Sequence, residues 1–302
     1  MSPLSVDLAP TTVRPPGRGA AVVLWGAIEP IVVWLAPLLL AAPLLFLFVG
    51  SFARSWDSRG LSGVTLANMA EAFEAVRESI VFSWMLALGT AIIATAIAVP
   101  LAYATRTSSH RLGRFLGGMV DLPVILPALL LAMGLMLAYP FLQGGWIILL
   151  IAHVVQTLPF AMWPVVSALS VLDVATLDTA GRTLGASPFQ RLTLLVLPNV
   201  WRSALTGAAT SFVLSFSETG SSLFLGSPHY RPIGVVLVDS FINQDQRISA
   251  AAAVLFILCL LPALAIIELT LGNGRKRSKA RTEATSSHDF PSFPKINQGG
   301  NA

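Results

Sequence analysis

TAGRTLGASPFQRLTLLVLP, residues 179–198, lies between two hydrophobic stretches and carries more local instruction than a plain connector needs. Leu177, Ala180 and Leu184 recur at spacings of three and four, one face of a helix. Gly185 then supplies the left-handed position at which helices commonly end. Ser187, Pro188 and Gln190 follow with the spacing of a capping box and a proline at the first helical position, so a second helix starts at once. Pro198 marks the next kink or boundary. Helix, glycine break, helix and stop together predict a compact body docked on one surface of a membrane.

The surroundings supply the membrane. Charged residues make up 11% of the 302-residue chain and hydrophobic ones 55%, with a mean hydropathy of +0.74. Those values exclude an ordinary soluble core and predict an all-α, polytopic membrane protein of about six transmembrane helices. The candidate spans are 31–52, 80–103, 115–139, 146–169, 204–225 and 250–271. Each is long enough for a hydrocarbon core of ~30 Å. The third is broken in its first half by Asp121, Pro123 and Pro127, which predicts a kinked entry. With the N-terminus placed in the cytoplasm, the outer loops hold Arg54, Arg59, Arg77, Arg231 and Arg247, only five of the 19 basic residues. That bias puts 179–198 and both termini on the cytoplasmic side of a bacterial inner membrane. The first residues lack an apolar core of signal-peptide type, so the first span reads as an uncleaved anchor. Residues 1–30 read as a cytoplasmic tail and 31–272 as the membrane domain. Residues 273–302 read as a basic, then polar, tail without fixed structure that touches inner-leaflet lipid rather than nucleic acid.

With the loop placed in the cytoplasm, its residue order resembles the EAA loop of importer permeases. These are the membrane subunits of ATP-binding-cassette uptake systems that work with a substrate-binding protein. That family carries Glu-Ala-Ala, then Gly after three residues, then Ile-x-Leu-Pro after nine more. Here the triplet is Thr179-Ala180-Gly181, the glycine is Gly185, Ala186, Ser187 and Pro188 follow, and Leu195 to Pro198 close the pattern at the same spacing. Thr179 and Gly181 depart from the triplet. The resemblance extends loosely over residues 78–271. It implies ABC ATPase subunits that seat on the loop, a second permease (the same chain or a sister), and a periplasmic or lipid-anchored substrate-binding protein. The 215–228 stretch, SFSETGSSLFLGSP, looks most like permeases for iron(III), polyamines, thiamine or aminoalkylphosphonates.

The chain offers no chemistry of its own to drive uptake. GNGRKRS at 272–278 lacks phosphate-loop spacing, and neither HExxH nor GxSxG occurs. The four histidines are scattered and Cys259 is the single cysteine, so no metal site, cofactor or catalytic residue is expected. For transport itself, Ser211, Ser215, Glu218 and Ser222 recur at four, three and four residues and predict one polar face of the fifth span, a candidate translocation path. His153 and Gln156 of the fourth span add a smaller polar cluster. An acid inside a bilayer is costly and has to face protein or water. A secondary carrier that uses Glu218 as its coupling acid is the rival reading. The apolar GVVLVDSF within 226–249 predicts a short interfacial or re-entrant helix.

Overall fold

The computed structural model describes residues 19–57, 60–108 and 110–286. In chain order the elements are α1 (Gly19–Ser51), a hairpin of β1 (Ala53–Asp57) and β2 (Gly60–Val64), α2 (Ala67–Thr107), α3 (His110–Ile125) and α4 (Ala128–Ala138). A single 3-10 turn leads to α5 (Trp146–Val171), followed by α6 (Val174–Thr183) and α7 (Pro188–Gln190). A π-helical turn, Arg191–Val196, runs into α8 (Leu197–Ser217). Then come α9 (Ser222–Leu225), α10 (Ile233–Asn243) and α11 (Gln246–Ser286).

α2, α5 and α8 pack on one another as the centre of the bundle, and α11 covers α2 and α8. Small residues let these backbones approach. A Cβ on Gly207 of α8 would lie 3.1 Å from the Ala161 carbonyl carbon of α5, with that carbonyl's oxygen closer still. At the end of the bundle that carries the 179–198 loop the core is Ala98, Ala102, Tyr103, Met162, Val165, Val196 and Val200. At the other end it is Leu86, Ala132, Ile148, Leu149, Ala152 and Leu225. α1 leans mainly on α11, and the apolar side chains of its Val32–Ser51 stretch stay exposed, as lipid-facing residues do.

Among the described residues four helices are long and apolar enough to cross a membrane: α1, α2, α5 and α11. The α3–α4 pair makes five when taken as one span. The expected kink in the third span is a 106° break between these two helices. The prolines explain it: Pro123 removes a backbone donor near the end of α3, and Pro127 stands outside the helical region as the N-cap of α4. The fifth expected span, 204–225, is not one helix. α8 has 21 residues, about 31 Å at 1.5 Å per residue, but ends at Ser217. Its polar residues lower its hydropathy, which a helix enclosed by three others tolerates.

Two further differences lie at the ends. The backbone is already helical from Gly19, inside the stretch read as an N-terminal tail. α11 likewise continues to Ser286, through residues read as an unstructured tail; Arg275, Lys276, Lys279, Ala280 and Glu283 are all good helix formers. The rest of both tails lies outside the described residues. The helix expected within 226–249 is present as α10. Its Ile233 N–H donates to Ser83 Oγ of α2 at 2.7 Å, and Arg231 pairs with its Asp239 at 2.8 Å. The β-hairpin had no signal strong enough to be read in advance. It is pinned by Asn68 of α2, whose amide donates to the carbonyls of Ser51 and Ala53 at 3.1 and 2.8 Å.

Candidate functional site

The caps and the glycine break read in 179–198 have their physical counterparts, whereas Pro198 does not stop the second helix, which runs on through the π turn into α8. Asp173 caps α6 by accepting from Thr176 N–H at 3.2 Å. The far end closes as a Schellman motif, with Ala186 N–H to Gly181 O and Gly185 N–H to Arg182 O, both 3.0 Å, and Gly185 at φ +76°. The capping box is complete: Gln190 N–H donates to Ser187 Oγ at 3.3 Å, and Ser187 N–H donates to Gln190 Oε1 at 2.8 Å. Pro188 stands at the first helical position of α7, and Pro198 in the first turn of α8. Leu195 lies in the π turn and would touch a Cβ built on Gly181.

Thr179 and Ala180 are exposed, as are Ser187, Pro188, Phe189 and Leu194. Leu184 is 86% exposed, so the apolar face read through Leu177, Ala180 and Leu184 is not the one that docks. The docked face of α6 is Val174, Asp178 and Gly181, all buried. Asp178 is the residue sequence reasoning missed, because an acid in a surface loop carries no signal of burial. Its carboxylate accepts from the Tyr103 hydroxyl of α2, from Arg182 Nε at 2.8 Å and from Arg191 at 2.6 Å. Desolvation pushes its pKa up. The hydrogen bonds from Tyr103 and Arg182 and the two guanidinium charges outweigh that and hold it below the ordinary carboxylate value.

The polar stripe takes a different form from the expected face. Ser211 and Ser215 are on α8, but Glu218 is the residue after its last turn, with extended backbone (φ −69°, ψ 126°), and Ser222 begins α9. A helical repeat of 3.6 cannot be carried across that break. Glu218 folds back over it. Oε1 accepts from Ser221 N–H at 2.9 Å, and Oε2 accepts from Ser221 Oγ at 2.7 Å, Ser222 Oγ at 3.0 Å and Ser222 N–H at 3.2 Å. His153 is fully buried between α5 and this turn. Its Nδ1 is 2.8 Å from Ser215 Oγ, and its Nε2 is 2.9 Å from Ser222 Oγ and 3.6 Å from Glu218 Oε2. Gln156 donates to Ser221 Oγ at 2.9 Å. Five of the six path residues therefore converge on one knot of side chains. Ser211, one turn inward, leans on the Thr157 carbonyl of α5 at 3.4 Å. Glu218 keeps 12% of its side chain exposed, whereas Ser211, Ser215, Ser222 and His153 are buried.

Asp121, one of the residues that break the third span, accepts from Trp163 Nε1 at 3.0 Å. Among the described residues no group of three or more His, Cys, Asp or Glu side chains could hold a metal ion.

Comparison with known proteins gives this geometry its relatives. The model of a family described as binding-protein-dependent transport system inner membrane component matches residues 96–271. The spermidine/putrescine transport system permease protein PotC of Shigella flexneri is 28% identical over 245 residues, 77% of this chain and 91% of that protein. PhnV of Salmonella typhimurium, named for 2-aminoethylphosphonate transport, is 24% identical over 233 residues, 75% of this chain and 86% of that one. Among solved structures, a bacterial ABC transporter involved in the import of alginate superposes with a TM-score of 0.67 at 13% identity. It covers 84% of this chain and 99% of that one.

Proposed function

We infer what this chain does from the family to which it belongs, the inner membrane components of binding-protein-dependent transport systems. It is a multi-pass permease subunit of an ABC importer. The family works with an ATPase and a binding protein. The rival of a secondary carrier coupled through Glu218 finds no support among these relatives.

The coupling segment in this reading is 179–198, facing the cytoplasm with both termini. A separate ATPase subunit seats on it, and a second permease, a copy or a sister, completes the path. The observation that carries the reading is the doubly capped helix pair around Gly185, which holds Leu184, Phe189 and Leu194 out at 86, 73 and 69% exposure. Exposed apolar side chains on a rigid projection suit a partner's groove. Short capped helices also move as a body, where a flexible loop would absorb a push.

The path runs past Glu218 and Gln156, the least enclosed edge of the knot, with His153, Ser211, Ser215 and Ser222 as its support. The cargo is a small solute carrying an ammonium group, the feature shared by the polyamine and the aminoalkylphosphonate named in the two relatives. The test is purification of the tagged chain from native membranes in mild detergent. We expect an ATPase and a binding protein to come with it, and Leu184→Glu with Phe189→Glu to lose the ATPase while leaving the chain folded. Retention of the ATPase by that double variant would refute the docking role. Uptake of labelled putrescine or 2-aminoethylphosphonate into vesicles holding the complex then checks the cargo class.

A further inference from the structure

The loop that projects into the cytoplasm has to be fastened to the bundle if its displacement is to reach the bundle, and most of its contacts are apolar. Val174 and Val196 pack beside Tyr103 and Val99. Such contacts are non-directional, and alone they let a short helix slide. One contact is of another kind.

Asp178 and Arg191 are each 7% exposed. Burying either charge unpaired would cost several kcal/mol, so each depends on the other to stay where it is. The carboxylate is shared by three elements. The Tyr103 hydroxyl comes from the inner end of α2, 75 residues away; Arg182 comes from α6 itself; Arg191 comes from the start of the π turn that continues as α8. Arg191 reaches the acid by laying its stem across Gly181, where an added Cβ would sit 2.9 Å from its Cγ and Cδ. An alanine at that triplet position would force the Arg191 stem to shift away from this route to the acid.

We propose that Asp178, Arg191 and Tyr103 form a buried latch that makes the 179–198 loop and the inner ends of α2 and α8 one rigid body. The three are positioning residues, and the role in transmission rests on the reading that the loop seats the ATPase. Directional, charge-assisted bonds fix the register between loop and helix that the apolar contacts leave free. Tyr103 ties in α2 without carrying charge, and Arg182, 61% exposed, braces the carboxylate from the solvent side.

The test uses the full chain in lipid nanodiscs with Cys259→Ser, spin-labelled at Thr183→Cys on the loop and Ile97→Cys on α2, both outside the latch. The parent should give one narrow distance distribution. Asp178→Asn and Gly181→Ala should broaden it or shift it by several ångströms, and Tyr103→Phe should do so less. Asp178→Asn combined with Arg191→Met removes both charges, which protects folding, yet should leave the distribution broad. A narrow, unshifted distribution in that double variant would overturn the latch. In the assembled complex the same double variant should keep its ATPase and lose about tenfold in uptake of labelled putrescine per ATP hydrolysed; an unchanged ratio would also overturn it. Should no ATPase accompany even the parent chain, the docking reading falls, while the distance measurement still decides the latch.

Discussion

Replacing Gly207 by alanine probes the close backbone approach of α5 and α8. The new methyl would sit 3.1 Å from the Ala161 carbonyl carbon, 3.2 Å from its Cα, and nearer still to its oxygen. Ordinary carbon–carbon contact is about 3.5–4.0 Å. The α5 and α8 backbones must therefore part by roughly half an ångström or more, because backbone, unlike a side-chain tip, cannot turn aside. Overpacking of this kind costs about 1–3 kcal/mol. Alanine returns up to about 1 kcal/mol through helix propensity. The net loss is about 0–2 kcal/mol, up to roughly 8 °C in melting temperature for a chain of this size, and the full 1–3 kcal/mol shows against an unobstructed glycine-to-alanine change, which gains the same propensity. Gly89→Ala is the internal control: it too lies mid-helix, but its Cβ meets only Leu150 Cδ1, at 3.6 Å, so it should be neutral or slightly stabilising. The assay is thermal unfolding of the detergent-solubilised protein, followed by circular dichroism and by size exclusion. Gly207→Ala melting as high as Gly89→Ala would mean that α5 and α8 separate freely, and the account of the packed centre would fail.

Ser187→Ala removes half of the capping box and should cost about 0.5–2 kcal/mol locally, seen as faster amide exchange over 187–191 with the bundle unaffected. Gly185→Ala meets no neighbouring atom but keeps φ at +76°; the strain of about 1–2 kcal/mol should fray the end of α6, and proteolysis at the loop reports it. Glu218→Gln replaces an acceptor surrounded by four donors with a group that is itself half donor. It should lower stability by about 1–3 kcal/mol even without solute, and unchanged melting would show that the carboxylate does not hold the turn. Asp178 titrates below its ordinary value of 3.8, so its contribution is full above about pH 4 and is lost as pH falls through the folded-state value. The stability difference between the parent and Asp178→Asn should stay level from pH 8 to 5 and shrink below 4. A gap that instead grew on acidification would contradict the assignment.

Much of this was legible because the signals are local. Gly185, Ser187 and Gln190 act through the backbone within a few residues, so spacing alone placed the two helices and the break. Hydropathy placed five of the six expected spans for a similar reason, since lipid contact selects side chains one at a time. Asp178 was illegible because its burial depends on Tyr103, 75 residues away, and on an arginine stem crossing a glycine. The stripe failed at Glu218 because periodicity assumes an unbroken helix. Nothing among Ser217, Glu218, Thr219 and Gly220 forbids one, and the return of the carboxylate onto Ser221 and Ser222 favours the turn in its place.

α2 has 41 residues, about 60 Å at 1.5 Å per residue, roughly twice the ~30 Å hydrocarbon thickness. One end carries Asn68, fastened to the hairpin, and the other end carries Tyr103, fastened to Asp178. A rod of that length pivoting about its midpoint moves its tips in opposite directions, by about 5 Å for a 10° tilt. A tilt of α2 as one body would therefore carry the hairpin at Asn68 and the loop held at Tyr103 in opposite senses.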